Sequence, residues 1–186
     1  MEIPEEMGER AQELDIRVYT GAPNEDLMLL NLWMELTENG EIKSIMTPEY
    51  LSPSKFISAF QWPKNVLYAL NEDGKLSYLC WFSPMSEYLG EKTVFVSLWS
   101  RKGFAGTKRS ILLGSLTVEL LFLQYDYIMG VNWDTRRHKI FQHMGYEIIT
   151  KVPSLYGIDN VYFILMNKEN FYNSGLYSAK LKLERR

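Results

Sequence analysis

The chain has 186 residues, of which 46% are hydrophobic, 14% aromatic and 23% charged. One packed domain accommodates that length, and with only seven Pro and twelve Gly the composition excludes disorder or a collagen-like repeat as the main state. Twenty basic against twenty-three acidic side chains give a net charge of −3, which argues against a dedicated nucleic-acid binder with a basic face.

The N-terminal segment MEIPEEMGER is acidic and has no apolar signal-peptide core. Met7, Ala11 and Leu14 recur at helical spacing, so a short amphipathic helix is expected within an acidic extension over residues 1–15. Ile16–Tyr19 reads as a short strand, and Asn24 or Asp26 as the cap of a helix whose apolar face is Leu27, Leu30, Trp33, Met34 and Leu36. Pro53 suits the first position of a second helix carrying Phe56, Ile57 and Phe60. A meander follows: Val66–Leu70, the turn Asn71–Gly74, Leu76–Phe82, then Thr93–Trp99 after a Pro84/Gly90 loop. Cys80, the single cysteine, falls in the second of these strands as a small core residue, and no intrachain disulfide or multi-cysteine zinc site can form.

A long helix is expected from Thr107 to Gln124, with Leu112, Leu116, Leu120 and Leu123 on one side. Its apolar run is interrupted by Gly114, Ser115, Thr117 and Glu119, well short of the ~20 apolar residues of a membrane span. Tyr127–Asn132 reads as a buried strand. Asp134 then caps a helix with Arg137, Ile140, Phe141 and Met144 on one face, which Gly145 ends. Two closing strands, Tyr146–Lys151 and Val161–Met166, flank a Pro153/Gly157 loop, and residues 168–186 form a basic tail. His138 and His143, five apart on one helix, make a poor metal pair, and no metal site is expected. The order predicts one α/β (α+β) domain over residues 16–167, a mixed and mostly antiparallel sheet with helices on both faces. Its strand–long helix–strand portion should be a parallel crossover.

The junction after the third meander strand is the most informative stretch. It runs Ser97, Leu98, Trp99, Ser100, Arg101, Lys102, Gly103, Phe104, Ala105, Gly106, Thr107, Lys108, Arg109. Small residues let a ligand approach the backbone, and the helix start beyond offers unpaired N–H groups and a positive dipole end. Such a loop suits a phosphate or diphosphate. It lacks the Gly-Lys-Ser/Thr of a nucleotide P-loop and the full G-x-G-x-x-G of a dinucleotide site. A nucleic-acid-binding GxxG loop would join two helices, whereas a strand precedes this one.

Residues 100–105 resemble the pyrophosphate loop Gln/Arg-x-x-Gly-x-Gly/Ala of the GNAT superfamily, the acetyl-CoA-dependent N-acetyltransferases, with Gly103 and Ala105 at its fourth and sixth positions and Ser100 at its first. Asp134–Tyr146 is similar to the family's closing helix, Asn-x-x-Ala-x-x-Leu-Tyr-x-x-x-Gly-Phe, with Asp134 in place of Asn and Phe141 in place of the Tyr that often protonates the departing thiolate. The succession of elements over 16–167 fits the same family.

The resemblance implies direct attack of an amine on the thioester of acetyl-CoA, a co-substrate held by Leu98, Ser100, Arg101, Lys102, Gly103, Phe104, Ala105, Gly106, Thr107 and Asp134. A backbone N–H near Leu98, at the splayed end of its strand, would steady the oxyanion. Candidate catalytic side chains are Tyr127, Tyr146 and Tyr156 as acids and Ser97 or Ser100 as an orienter of water. Glu87, Glu91 and Asp126 are candidate bases. Trp99 and Trp133 would border the cofactor cleft. The leading expectation is an acyl-CoA-dependent N-acyltransferase of the cytoplasm with an unidentified amine acceptor. The alternative is a GNAT fold retained as a structural or interaction protein, such as a phage virion component, for which the charged ends would engage a protein partner or a second copy.

Overall fold

The structure, a computed structural model, describes residues 5–44, 46–61, 65–85, 91–155 and 158–185. Helix α1 (Glu5–Glu13) and strand β1 (Arg17–Val18) lead to α2 (Pro23–Glu38) and α3 (Pro53–Gln61). Strands β2 (Asn65–Leu70), β3 (Leu76–Pro84) and β4 (Thr93–Ser100) form the meander. Then come α4 (Lys108–Phe122), β5 (Tyr127–Asn132), α5 (His138–His143), β6 (Glu147–Leu155), β7 (Ile158–Asn167), α6 (Lys168–Tyr172) and α7 (Gly175–Glu184).

The strands make one sheet in the order β1-β2-β3-β4-β5-β7-β6. Neighbours are antiparallel except β4 and β5, which are parallel and joined through α4. This is the expected mixed, mostly antiparallel architecture. Side chains alternate between the two faces of each strand. Tyr78, Cys80, Phe82, Val94, Ile128 and Ile164 share one core with Leu113, Val118 and Leu121 of α4, and Phe141 of α5 and Met144 just past its end pack against it. Val66, Tyr68, Leu79 and Trp99 point the other way, to Leu29, Leu32 and Leu36 of α2 and Phe56 and Phe60 of α3. The Tyr78 hydroxyl donates to Thr117 Oγ1 at 2.9 Å, satisfying two polar groups inside the first core.

Several local expectations change. In α2 the buried stripe is Leu29, Leu32 and Leu36, while Leu27 and Met34 are exposed. The helix is apolar nearly all round, so spacing alone could not choose its inner face. Its N-cap is Ala22, with Pro23 at the first helical position, rather than Asn24 or Asp26. A side chain absent from Ala22 is replaced by Glu25, whose carboxylate accepts from the N–H of Ala22 at 3.0 Å and of Thr20 at 2.8 Å. The leucines of α4 divide: Leu116 and Leu120 lie under Ala11 of α1, whereas Leu123 is exposed. Ile140 of α5 is exposed too. Pro153 stands inside β6 rather than in a loop, which an edge strand allows because one side of its ladder needs no N–H.

The two ends pack against the body of the same chain. The helix expected at Met7, Ala11 and Leu14 is α1, and it lies on the outer side of α4. The basic tail is folded as α6 and α7, with Phe171 fully buried in the first core. Lys180 is 4% exposed and forms an ion pair with Glu119 of α4, and Arg10 of α1 meets Glu184 of α7 at 3.0 Å. Gly145 and Gly175 permit this close docking. A Cβ on Gly145 would stand 2.8 Å from the carbonyl oxygen of Asn170, and one on Gly175 would strike the ring of His143 at 1.9 Å.

Candidate functional site

The parallel pairing of β4 with β5 is short. It covers Thr93–Phe95 against Tyr127–Met129 and then stops, although both strands continue. Gly130 stands where they part: a Cβ there would lie 3.3 Å from the carbonyl oxygen of Val96. Gly130 was passed over in the sequence, although a glycine inside a buried strand is a signal for such a close approach.

Which backbone groups face the opening follows from the other side of β4. Met85 N–H donates to Thr93 O at 2.9 Å and Arg101 N–H to Ser77 O at 2.9 Å, at the two ends of an unbroken β3–β4 register. The odd-numbered residues of β4 therefore exchange bonds with β3, and the even-numbered ones turn their N–H and C=O toward β5. Leu98 is even-numbered and lies beyond the last β4–β5 pair, so its N–H points into the gap. Its side chain is 43% exposed although β4 is the central strand of the sheet.

The loop after β4 turns on Gly103 (φ +84°) and Gly106 (φ +83°), both in the left-handed region that favours glycine. Phe104 N–H bonds back to Arg101 O and Thr107 N–H to Phe104 O. The amides of Lys102, Gly103, Ala105 and Gly106 take no partner among the described residues. Thr107 caps α4, its Oγ1 accepting from Ser110 N–H at 3.2 Å. Four open amides, a capped helix start and the exposed ammonium groups of Lys102 and Lys108 make a cradle of anion-binding character.

The arginines are otherwise employed. Arg101 donates Nε to Leu76 O at 2.8 Å, pairs with Glu35 and sits 5.7 Å from the centre of the Trp99 ring. Arg109 ties the carbonyls of Leu70 (2.7 Å) and Leu14 (2.9 Å). A hollow of about 310 Å³ lies on the α2 side of Arg101, lined by Met28, Asn31, Glu35 and Lys75, and does not reach Leu98. Trp99 is held in the α2/α3 core and Trp133 is half-buried. Phe104 packs against the α4 core and anchors the loop. Ser100 is half-buried at the end of β4.

Asp134 stands past the end of β5, on the far wall of the gap. It caps a short 3-10 turn (Thr135–Arg137) and pairs with Arg136 at 2.8 Å and Arg137 at 3.5 Å. Hydrogen bonding from the Arg136 side chain holds its carboxyl below the usual carboxylate range. Phe141 meets Tyr146 edge-on at 5.8 Å. Tyr146 is buried beside Cys80, and that burial, with the neighbouring thiol, holds its phenol well above its ordinary value. Burial pushes the Cys80 thiol up to about 12, so it stays protonated as a core residue. Ser97 is half-buried on the α2/α3 face, opposite Trp81 in the register. Glu91 and Asp126 lie at the paired, closed end of β4 and β5, the wrong end for chemistry at Leu98. Tyr156 and Glu87 lie outside the described residues.

No protein-family model and no curated protein matches the sequence. Solved structures do. Mycobacterium smegmatis RimJ in complex with CoA-disulfide superposes with a TM-score of 0.66 at 8% identity, over 91% of this chain and 90% of that one. An aminoglycoside N(6')-acetyltransferase from Legionella pneumophila gives 0.63 at 12% identity, over 90% and 95%. A ribosomal-protein-alanine N-acetyltransferase from Brucella melitensis gives 0.57 at 16% identity, over 82% and 98%. With the parted strands β4 and β5 and the glycine loop leading into α4, these likenesses establish that the chain has the fold of the GNAT N-acetyltransferases.

Proposed function

We propose that the protein is an acyl-CoA-dependent N-acyltransferase that uses the gap between β4 and β5 as its reaction site. The observation that carries this reading is the N–H of Leu98, turned into a gap that opens beside a loop with four free amides. Lys102, Gly103, Ala105 and Gly106 would hold the diphosphate of acetyl-CoA through their N–H groups, with Lys102 and Lys108 supplying positive charge. Arg101 and Arg109 act on the loop indirectly, by fixing the strand end and the helix start.

In the reaction the amine nitrogen bonds to the acetyl carbon, the carbon–sulfur bond breaks, and the proton shed by nitrogen ends on the thiolate. Products are an amide and free CoA. Leu98 N–H donates to the carbonyl oxygen as negative charge collects there, an interaction typically worth ~10²–10³ in rate. Holding the reactants together in the gap contributes more, on the order of 7–11 kcal/mol of barrier in well-oriented cases. Ser97 is the polar side chain nearest in sequence on the amine side. Tyr146 is too enclosed by the core to serve as the acid, so the thiolate proton comes from solvent or from the amine itself. The GNAT relatives by structure are acetyltransferases, and a cytoplasmic setting, where acetyl-CoA is available, suits this reading.

Among the described residues no helix is long and apolar enough to cross a membrane. A scaffold reading, including a virion component, draws support from Arg101, Arg109 and Asp134 being committed to partners within the protein. Calorimetric titration separates the two. The enzyme reading expects acetyl-CoA to bind, and at one hundred times Kd to stabilise the fold by about 2.7 kcal/mol. Gly103→Val, which fills the cradle, should abolish both effects. Absence of binding by the wild-type protein would favour the scaffold.

A further inference from the structure

The proposed reaction leaves the middle of the cofactor, between the diphosphate at the loop and the acyl group at Leu98, without a side-chain partner. The far wall of the gap offers one. The pairing of β4 with β5 runs Thr93 with Tyr127, Val94 with Ile128 and Phe95 with Met129. Carried on in the same step past the parting at Gly130, it sets Leu98 level with Asn132, the last residue of β5. Alternation turns both side chains to the face of α4 and α5, with Val94, Val96 and Ile128. The loop lies on that face too, its Phe104 packed against the same core.

Asn132 is 4% exposed, and its carboxamide is fixed. Nδ2 donates to the carbonyl oxygen of Asp134 at 3.0 Å, and Oδ1 accepts from the Asp134 N–H at 3.1 Å. Both partners are main-chain groups of set polarity, so the amide has one orientation. Asp134 is held in turn, its carboxylate accepting from the N–H and from the side chain of Arg136. The second N–H of Nδ2 takes no partner among the described residues. A buried donor left open is costly, and an acceptor that meets it finds it already aimed. The pantetheine arm of CoA carries amide carbonyls and ends in the thioester carbonyl, all acceptors of the right kind.

We infer that the free N–H of Asn132 Nδ2 donates to a carbonyl oxygen of the acyl-pantetheine arm and so positions the thioester across from Leu98. The inference rests on the acyl-transfer reading of the same gap. The test is calorimetric and needs no acceptor amine. Acetyl-CoA, CoA and adenosine 3′-phosphate 5′-diphosphate, which is CoA without the arm, are titrated into the wild-type protein and into Asn132→Leu. Asn132→Ser, too short to reach the arm, replaces the leucine variant if that one does not fold.

The expected result is acetyl-CoA binding weakened by roughly three- to tenfold while the nucleotide keeps its affinity within roughly twofold. CoA then identifies the carbonyl. It weakens with acetyl-CoA if an amide of the arm accepts, and is unchanged if the thioester oxygen does. A side chain that merely shaped the turn at Asp134 would not divide the ligands in this way. If acetyl-CoA keeps its affinity in the variant, or all three ligands weaken alike, the inference is overturned and the acyl-CoA reading stands. If acetyl-CoA does not bind the wild-type protein, both fall.

Discussion

Replacing Lys180 with methionine tests whether the C-terminal helix is part of the domain. The Lys180 side chain is 5% exposed and its partner Glu119 11% exposed, so the pair is out of water. Glu119 Oε2 is buried without a partner, so the ammonium on Oε1 is what that carboxylate has. Lys180→Met keeps the apolar stem and leaves a buried, unpaired carboxylate. Such a loss typically costs about 3–5 kcal/mol. In a domain of this size each kcal/mol lowers the Tm by about 2–4 °C, so a fall of roughly 6–20 °C is expected. Adding Glu119→Leu removes the stranded charge and should restore stability to within about 1–2 kcal/mol of the parent. Urea unfolding of the parent, Lys180→Met, Glu119→Leu and the double variant gives the coupling energy directly. A loss below about 1 kcal/mol for Lys180→Met, or a double variant no better than Lys180→Met alone, would show that the pair does not hold α7 to α4.

Gly145 has φ +100°, and a Cβ would press on the Asn170 carbonyl, so Gly145→Ala should cost about 2–4 kcal/mol in urea unfolding by combining left-handed strain with a clash. Burial pushes the Glu25 carboxyl up, but hydrogen bonds from Thr20, Ala22 and Tyr68 outweigh it and bring it below its ordinary value. Its contribution is thus complete above the unfolded value of about 4.3 and is lost as pH falls through the lower folded value. Glu25→Gln should cost about 2–4 kcal/mol at neutral pH and flatten the acid limb of a stability–pH curve. Leu98→Pro deletes an N–H that the β3–β4 ladder does not use, so kcat should fall by ~10²–10³ while acetyl-CoA still binds.

Much of the architecture could be read from the chain because its punctuation is strong. Pro53 opens α3, Thr107 caps α4, and Tyr127–Asn132 is a strand with the bounds expected. Inner faces were less legible where helices are apolar on several sides. In α4 one side meets the sheet, another meets α1, and Lys180 of α7 pairs with Glu119, so a single leucine stripe could not describe it. The tails looked like appendages because their charge was counted without its partners. Lys180 and Arg10 are matched by Glu119 and Glu184, residues 61 and 174 positions away respectively, which no local pattern reveals.

The candidate site divides along the same line. Its loop was legible, since Gly103 and Gly106 mark places where the conformation disfavours a side chain, whereas the close approach at Gly130 was not singled out within its strand. Its side chains were not. Arg101 and Arg109 beside a glycine loop suggest a phosphate clamp, yet their guanidinium groups reach Leu76, Glu35, Leu70 and Leu14. A long cation can meet any acceptor its stem can reach, and its neighbours in sequence do not say which.

Backbone amides form the proposed cofactor site, and amide resonances read them one by one. In a ¹⁵N–¹H spectrum titrated with acetyl-CoA, saturable shifts are expected at Leu98, Lys102, Gly103, Ala105 and Gly106, with the paired amides at the closed end of β4 and β5 left near their starting positions. Saturable shifts confined to other parts of the protein, or none at these five residues at millimolar acetyl-CoA, would contradict it.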